Sequence, residues 1–160
     1  MVAWMVSALV LGTGCSATAK APDELASIEV GAAAPAFTLR DLTGTEHSLA
    51  DYAGKVVVLE WFNPGCPYVK DVHNPGGVLE KMPAVLQEQG VVWLAINSGA
   101  QGKQGHGVEA NKTAKAGWSM DYPVLGDEDG SVGKAYGDKT TPHMHVIDAA
   151  GVLQYEGAVD

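Results

Sequence analysis

Cys66 is the residue of this chain best suited to chemistry. It lies in Trp61-Phe62-Asn63-Pro64-Gly65-Cys66-Pro67-Tyr68-Val69-Lys70, directly after the apolar run Val56 to Leu59. The pattern predicts a buried strand that turns into a helix with Pro67 at its first position, where a missing N–H costs nothing. A helix N-terminus favours negative charge by ~0.3–1 kcal/mol, and by up to ~2 kcal/mol when partly buried. It therefore favours the thiolate over the thiol, and the thiolate is the nucleophile. Lys70, one turn on, either adds to that effect or is a solvated helix lysine. The flanking Trp61, Phe62, Asn63 and Tyr68 are read as core residues or as substrate contacts.

Two further groups have chemical potential. Glu60 is a charge inside an otherwise apolar strand, six positions before Cys66. As a buried acid without a cation it would have a raised pKa and could exchange a proton with the sulfur. As a strand-edge residue it would face water, and its neighbours Leu59 and Trp61 do not decide the facing. His143 and His145 alternate on a predicted strand and so share a face. With Cys66, and with His73 seven residues beyond it, they suggest a thiolate/imidazole site for copper or zinc, against the plainer reading of structural histidines. Gly99-x-x-Gly102-Lys103 lacks the spacing of a phosphate loop, and Gln104 stands where Ser or Thr is needed. It reads as a flexible loop at the rim of the site.

The elements that position these residues follow from periodicity and turn chemistry. Ala36 to Leu39 and Glu46 to Leu49 read as short strands around the turn Asp41-Leu42-Thr43-Gly44. Lys55 to Phe62 and Val91 to Ile96 read as strands covered on both faces. A helix starts near Cys66 and is interrupted by Gly76-Gly77. Another runs from Val78 to Gln89, bent at Pro83, and a third from Val108 to Ala116. Tyr122 to Leu125 is a strand and Gly130 to Tyr136 a short helix. His143 to Ile147, the turn Asp148-Ala149-Ala150-Gly151 and Val152 to Tyr155 form a closing hairpin. The order predicts an α/β fold with a mixed sheet.

Composition excludes several classes. The 160 residues are 46% hydrophobic and 18% charged, which suits one packed domain with an extension. The net charge is -9, and Arg40 is the sole arginine. No basic stripe exists for nucleic acid or anionic lipid.

The start of the chain differs from the rest. Val2 to Leu11 is almost unbroken apolar sequence, followed by Gly12-Thr13-Gly14-Cys15. Residues 1–19 are expected to be an export signal, either a lipoprotein signal that lipidates Cys15 and attaches the protein to a membrane, or a peptide cleaved after Ala17-Thr18-Ala19. Residues 20–28 are read as a tether and 29–160 as the domain. The domain is expected outside the cytoplasm, periplasmic or in the cell envelope. Cys15 being lipidated or removed, Cys66 is left as an unpaired thiol.

Taken in order, these motifs resemble the thioredoxin-fold redoxins of the alkyl hydroperoxide reductase/thiol-specific antioxidant (AhpC/TSA) group. Gly31-x-x-Ala34-Pro35-x-Phe37-x-Leu39-x-Asp41-x-x-Gly44 resembles the family's N-terminal hairpin. Leu49-x-Asp51-Tyr52-x-Gly54-Lys55, followed by Val56 to Phe62, resembles its next segment. Cys66 falls at the nucleophile position, Glu60 at the buried proton-relaying acid of thioredoxins, and Thr141-Pro142 at the family's cis-proline. The resemblance implies a thioredoxin-like mixed sheet flanked by helices. It also implies that a cis bond at Pro142 exposes the backbone of Thr141 to an extended peptide or thiol substrate.

This chain departs from the family at four points. Val69 occupies the place of a second thioredoxin cysteine. Asn63 stands where peroxiredoxins carry Thr or Ser, and no arginine follows Arg40. The sequence ends at Asp160, before the family's C-terminal helix.

The expected function is that of a single-cysteine thiol oxidoreductase acting on disulfides or peroxides. Its reductant would be a thiol/disulfide protein or a small external thiol, and no motif asks for a cofactor. The expected site is Cys66, Glu60 and Pro142, with Thr141, Asn63, Trp61 and Tyr68 contacting substrate. A copper-delivery module, on the analogy of Sco-type chaperones that share this fold but use two cysteines, is the alternative. A redox-silent interaction domain is another.

Overall fold

The apolar runs pair into one seven-stranded sheet. Its strands in chain order are β1 (Thr38–Asp41), β2 (Glu46–Ser48), β3 (Val57–Trp61), β4 (Val92–Asn97), β5 (Val124–Gly126), β6 (His143–Ile147) and β7 (Leu153–Gly157). The computed structural model describes residues 28–159. The expected export segment with Cys15, and residues 20–27 of the expected tether, lie outside the described residues. Ile28, assigned to that tether, is buried in the core.

The spatial strand order is β2-β1-β5-β4-β3-β6-β7. β3 and β4, and β4 and β5, pair in parallel, while β6 and β7 close the sheet as an antiparallel hairpin beside β3. All five residues of β3 are buried, as its continuous apolar run requires. Side chains alternate along β3. Val57, Leu59 and Trp61 enter one core, with Leu94, Ile96, Leu125, Tyr136 and Ile147. Val58 and Phe62 enter a second core on the opposite face, with Val69, Leu79, Trp93, Met120 and Tyr122.

Among the described residues four helices accompany the sheet: α1 (Pro67–His73), α2 (Met82–Glu88), α3 (Val108–Gly117) and α4 (Ser131–Ala135). A 3-10 turn at Leu49–Tyr52, unforeseen in the sequence, is closed by a capping box between Ser48 and Asp51. α2 is shorter than the predicted 78–89 and begins only at Met82. The Leu79 N–H donates to the Val72 carbonyl at 2.8 Å, so this stretch folds back on α1 and buries Leu79. Pro83 sits in the first turn of α2, where it starts the helix and does not bend it.

One buried carboxylate ties α4 to the sheet. Asp127 accepts hydrogen bonds from the Val132 and Gly133 N–H groups at 3.2 and 2.9 Å and from the Ser98 hydroxyl at 2.6 Å. Ser98 in turn accepts from the Trp61 indole at 3.1 Å. Losing the carboxylate strands these donors in a dry interior. Asp127→Ala is expected to lower stability by about 2–3 kcal/mol, read from urea unfolding. A loss within experimental error of zero would contradict this role.

Candidate active site

Cys66 is the N-cap of α1, with extended backbone angles, and its carbonyl accepts the Lys70 N–H at 3.1 Å. Its Sγ lies 3.2 Å from the Thr141 carbonyl oxygen, 75 residues away in sequence. The Thr141–Pro142 peptide bond is cis. Burial opposes ionisation of the thiol. It is outweighed by hydrogen bonds from the Thr141 side chain and from the Val69 and Tyr68 N–H groups, while Asp71 works against them. The net effect holds the Cys66 thiol below the ordinary cysteine range. Val69, in the second-cysteine position, is fully buried beneath the site. Cys66 is the sole cysteine among the described residues, and it is free.

The turn that presents the sulfur is braced from outside. The Asn63 Oδ1 accepts the Gly65 N–H at 2.8 Å, and its Nδ2 donates to the Gln104 carbonyl at 3.1 Å. Gln104 donates back to the Gly65 carbonyl at 2.8 Å. A side chain at Gly65 would overlap Gln104, and one at Gly105 (φ 75°) would overlap the Asn63 amide. Residues 99–107 therefore sit at the rim, as the sequence predicts, but pinned. Asn97 anchors them through Gly99, Gly105 and Asn111. Asn63 is occupied in shaping the turn. Trp61 is buried and faces the other core, whereas Tyr68 is 72% exposed beside the sulfur.

Glu60 points inward and is fully buried. Glu60 is not an isolated buried acid, because His73 Nε2 lies 2.6 Å from its Oε1. Oε2 accepts from the Trp93 indole at 3.1 Å and the Tyr122 hydroxyl at 3.3 Å. Burial and the neighbouring Glu60 charge push the Tyr122 hydroxyl far up. No hydrogen bond among the described residues joins Glu60 to Cys66. His73 ends α1, and at ~1.5 Å rise per residue it stands about 10 Å along the axis from Cys66. The pair holds the far end of α1 to β3. It spans 13 positions between strand and helix, and the identities of Glu60 and His73 were its only sequence trace.

The histidines on β6 are not joined to the thiol. Cys66 packs against the α1 face of the sheet. His145 lies edge-on to Trp61 and Tyr136 on the opposite face. His143 and His145 gather with Asp138, a residue the sequence reading passed over. His143 Nδ1 contacts the Asp138 carboxyl directly. Burial, with Glu156 nearby, pushes Asp138 up to about 8. Burial and then His143 hold His145 down at about 4. His145 is wholly buried, and neither ring nitrogen has a hydrogen-bond partner. An unsatisfied buried polar group costs ~1–3 kcal/mol. A cleft of about 380 Å³ is lined by Asn63, Ser98, Lys134, Asp138, Lys139 and Thr141 among others.

With this geometry, the chain belongs to the redoxin family, whose model matches residues 29–160. Among curated relatives it is 31% identical to the thiol-disulfide oxidoreductase ResA of Geobacillus thermodenitrificans, over 82% of this chain and 70% of that protein. A crystal structure of a hypothetical protein from Sinorhizobium meliloti 1021 superposes with a TM-score of 0.76 at 29% identity, covering 84% of this chain and 73% of that one. The thioredoxin domain of a Bacteroides vulgatus thiol-disulfide oxidoreductase matches the fold at a TM-score of 0.66 and 21% identity, over 82% and 90% of the two chains. The fold is thioredoxin-like, as the resemblance implied.

Two outcomes follow. Thr141→Val removes a donor to the thiolate and raises the midpoint of the Cys66 alkylation rate against pH, whereas Asp71→Asn removes an opposing charge and lowers it. Shifts in the same direction would contradict the assignment. Glu60→Ala leaves His73, Trp93 and Tyr122 unpaired in the core, and is expected to cost about 3–5 kcal/mol in denaturant unfolding.

Proposed function

We propose that this protein is an exported thiol-disulfide oxidoreductase with Cys66 as its single nucleophile. The observation that carries this reading is the sulfur at the α1 N-cap, 3.2 Å from the Thr141 carbonyl and held below the ordinary cysteine pKa by the Thr141 side chain and two helix N–H groups. The thiolate attacks one sulfur of a substrate disulfide. A Cys66–substrate S–S bond forms, and the other substrate sulfur leaves as thiolate and takes a proton. An external thiolate then attacks the substrate sulfur of that bond, releasing the Cys66 thiolate and leaving the substrate joined to the external thiol. The net reaction exchanges one thiol for another in the substrate disulfide. Val69 in the second-cysteine position supports recycling from outside. The cleft at Thr141 supports binding of the substrate beside the sulfur, with Tyr68 on its exposed flank.

Disulfides fit this site better than peroxides. Peroxide cleavage needs a donor for the departing oxygen. The side chain at Asn63 is committed to Gly65 and Gln104. Arg40 is exposed and bonded to Glu46 at 2.8 Å. Glu60 is assigned here as a positioning residue that fixes α1 through His73. Export rests on the apolar stretch Val2 to Leu11 and the sequence around Cys15. No helix among the described residues is long and apolar enough to cross a membrane.

Incubation with glutathione disulfide tests the reading. The expected product is one glutathione adduct per chain on Cys66, formed faster than on free cysteine at neutral pH and reversed by added thiol. Hydrogen peroxide is expected to be consumed more slowly than the disulfide. An adduct that forms no faster than on free cysteine would sink the proposal.

A further inference from the structure

The group formed by Asp138, His143 and His145 is not used in the thiol exchange proposed above. Each of the three offers one ligand atom, and these atoms lie within 4.8 Å of one another. A tetrahedral centre with bonds of ~2.0–2.2 Å needs its ligand atoms roughly 3.3–3.6 Å apart. Small side-chain adjustments close that gap. A second, independent observation concerns His145. It is wholly buried with both ring nitrogens unpartnered, its Nδ1 is 3.9 Å from the Asp138 carboxyl, and the Asp138 Oδ2 is itself unpartnered. Buried imidazoles in folded proteins are hydrogen-bonded or ligated. This one is buried with no partner at normal hydrogen-bond distance and angle, and its Nδ1 faces a carboxyl oxygen in the same condition.

We propose that Asp138, His143 and His145 form a binding site for a divalent first-row transition metal, typified by Zn²⁺. Two imidazoles and one carboxylate suit such an ion and do not suit Ca²⁺ or Mg²⁺, which take oxygen ligands. The Glu156 carboxylate, 3.9 Å from the His145 Nε2, stands where it can accept the proton of the nitrogen turned away from Asp138. A metal-bound histidine commonly has such a partner, which fixes its tautomer and orientation. Asp138 also lines the cleft, so a fourth position is open to a small ligand or water. Because Cys66 packs on the other face of the sheet, the thiolate is not a ligand. The metal site and the redox site are separate, although both hang on the strand entered through Thr141 and Pro142.

Titration of the full chain with Zn²⁺ or Co²⁺, after treatment with a chelator, tests this. The expected result is one ion per chain, visible d–d absorption with Co²⁺ but no thiolate charge-transfer band, and displaced ring signals for two histidines in ¹H–¹⁵N spectra with Zn²⁺. Cys66→Ser is expected to bind as tightly as wild type. His143→Gln and Asp138→Asn are each expected to weaken binding by about tenfold or more, with far-UV circular dichroism confirming that they fold. The spectra of the unmodified chain decide the matter even where a variant misfolds. Failure to bind one equivalent, a thiolate band, loss of binding in Cys66→Ser, or unchanged affinity in folded His143→Gln and Asp138→Asn would each overturn the proposal.

Discussion

The structure depends on one arrangement: a thiol held at the start of a helix, against a backbone carbonyl delivered from the far end of the chain. The N–H groups of Tyr68 and Val69 and the Thr141 side chain offset the burial cost of a charged sulfur. They act only if α1 keeps its angle and Thr141 keeps its place. β3 and β6 pair side by side, with Trp61 opposite His143, and this register brings Thr141 to the turn at Cys66. Asn63, Gln104 and Gly105 lock the turn from the rim. Glu60 and His73 lock the other end of the helix from within the core. A buried carboxyl group in contact with His73, Trp93 and Tyr122 stabilises little in net terms, but leaving its partners unpaired is costly. It therefore sets geometry more than it adds stability.

The sheet separates two kinds of chemistry. On the α1 face lie the sulfur and the Glu60 cluster. On the other lie Trp61, Tyr136 and the Asp138, His143 and His145 group. Strand alternation alone produces this division, since His143 and His145 share a face and Met144 takes the opposite one. The cleft near Thr141 is lined both by Asn63, from the turn that presents the sulfur, and by Asp138.

Much of this was legible in the sequence, for definite reasons. Long apolar runs marked β3 and β4, and Pro67 after a strand marked the start of α1. The spacing of His143 and His145 marked a shared face. The facing of Glu60 was not legible, because a strand buried on both sides has no polar alternation to read. The partnership of the histidines with Cys66, the alternative to plain structural histidines, does not form, since spacing along β6 fixes which residues share a face and says nothing of what that face meets. Asp138 lies in the connection after α4, where no periodicity applies. The pinning of residues 99–107 was hidden for a similar reason. Four glycines suggest looseness, while the hydrogen bonds from Asn97, Asn111 and Asn63 that restrain them come from outside the segment or from its edges. The start of α2 was set by tertiary packing of Leu79 and not by local propensity.

Direct observation of the sulfur's ionisation tests the account most closely. With cysteine labelled by ¹³C at Cβ, the Cys66 chemical shift is followed against pH in the folded protein. The account predicts a single titration with its midpoint below that of cysteine in an unstructured peptide under the same conditions. A midpoint at or above the peptide value would mean that burial outweighs the helix N–H groups and Thr141, and the thiol would not be the nucleophile around which this site is built.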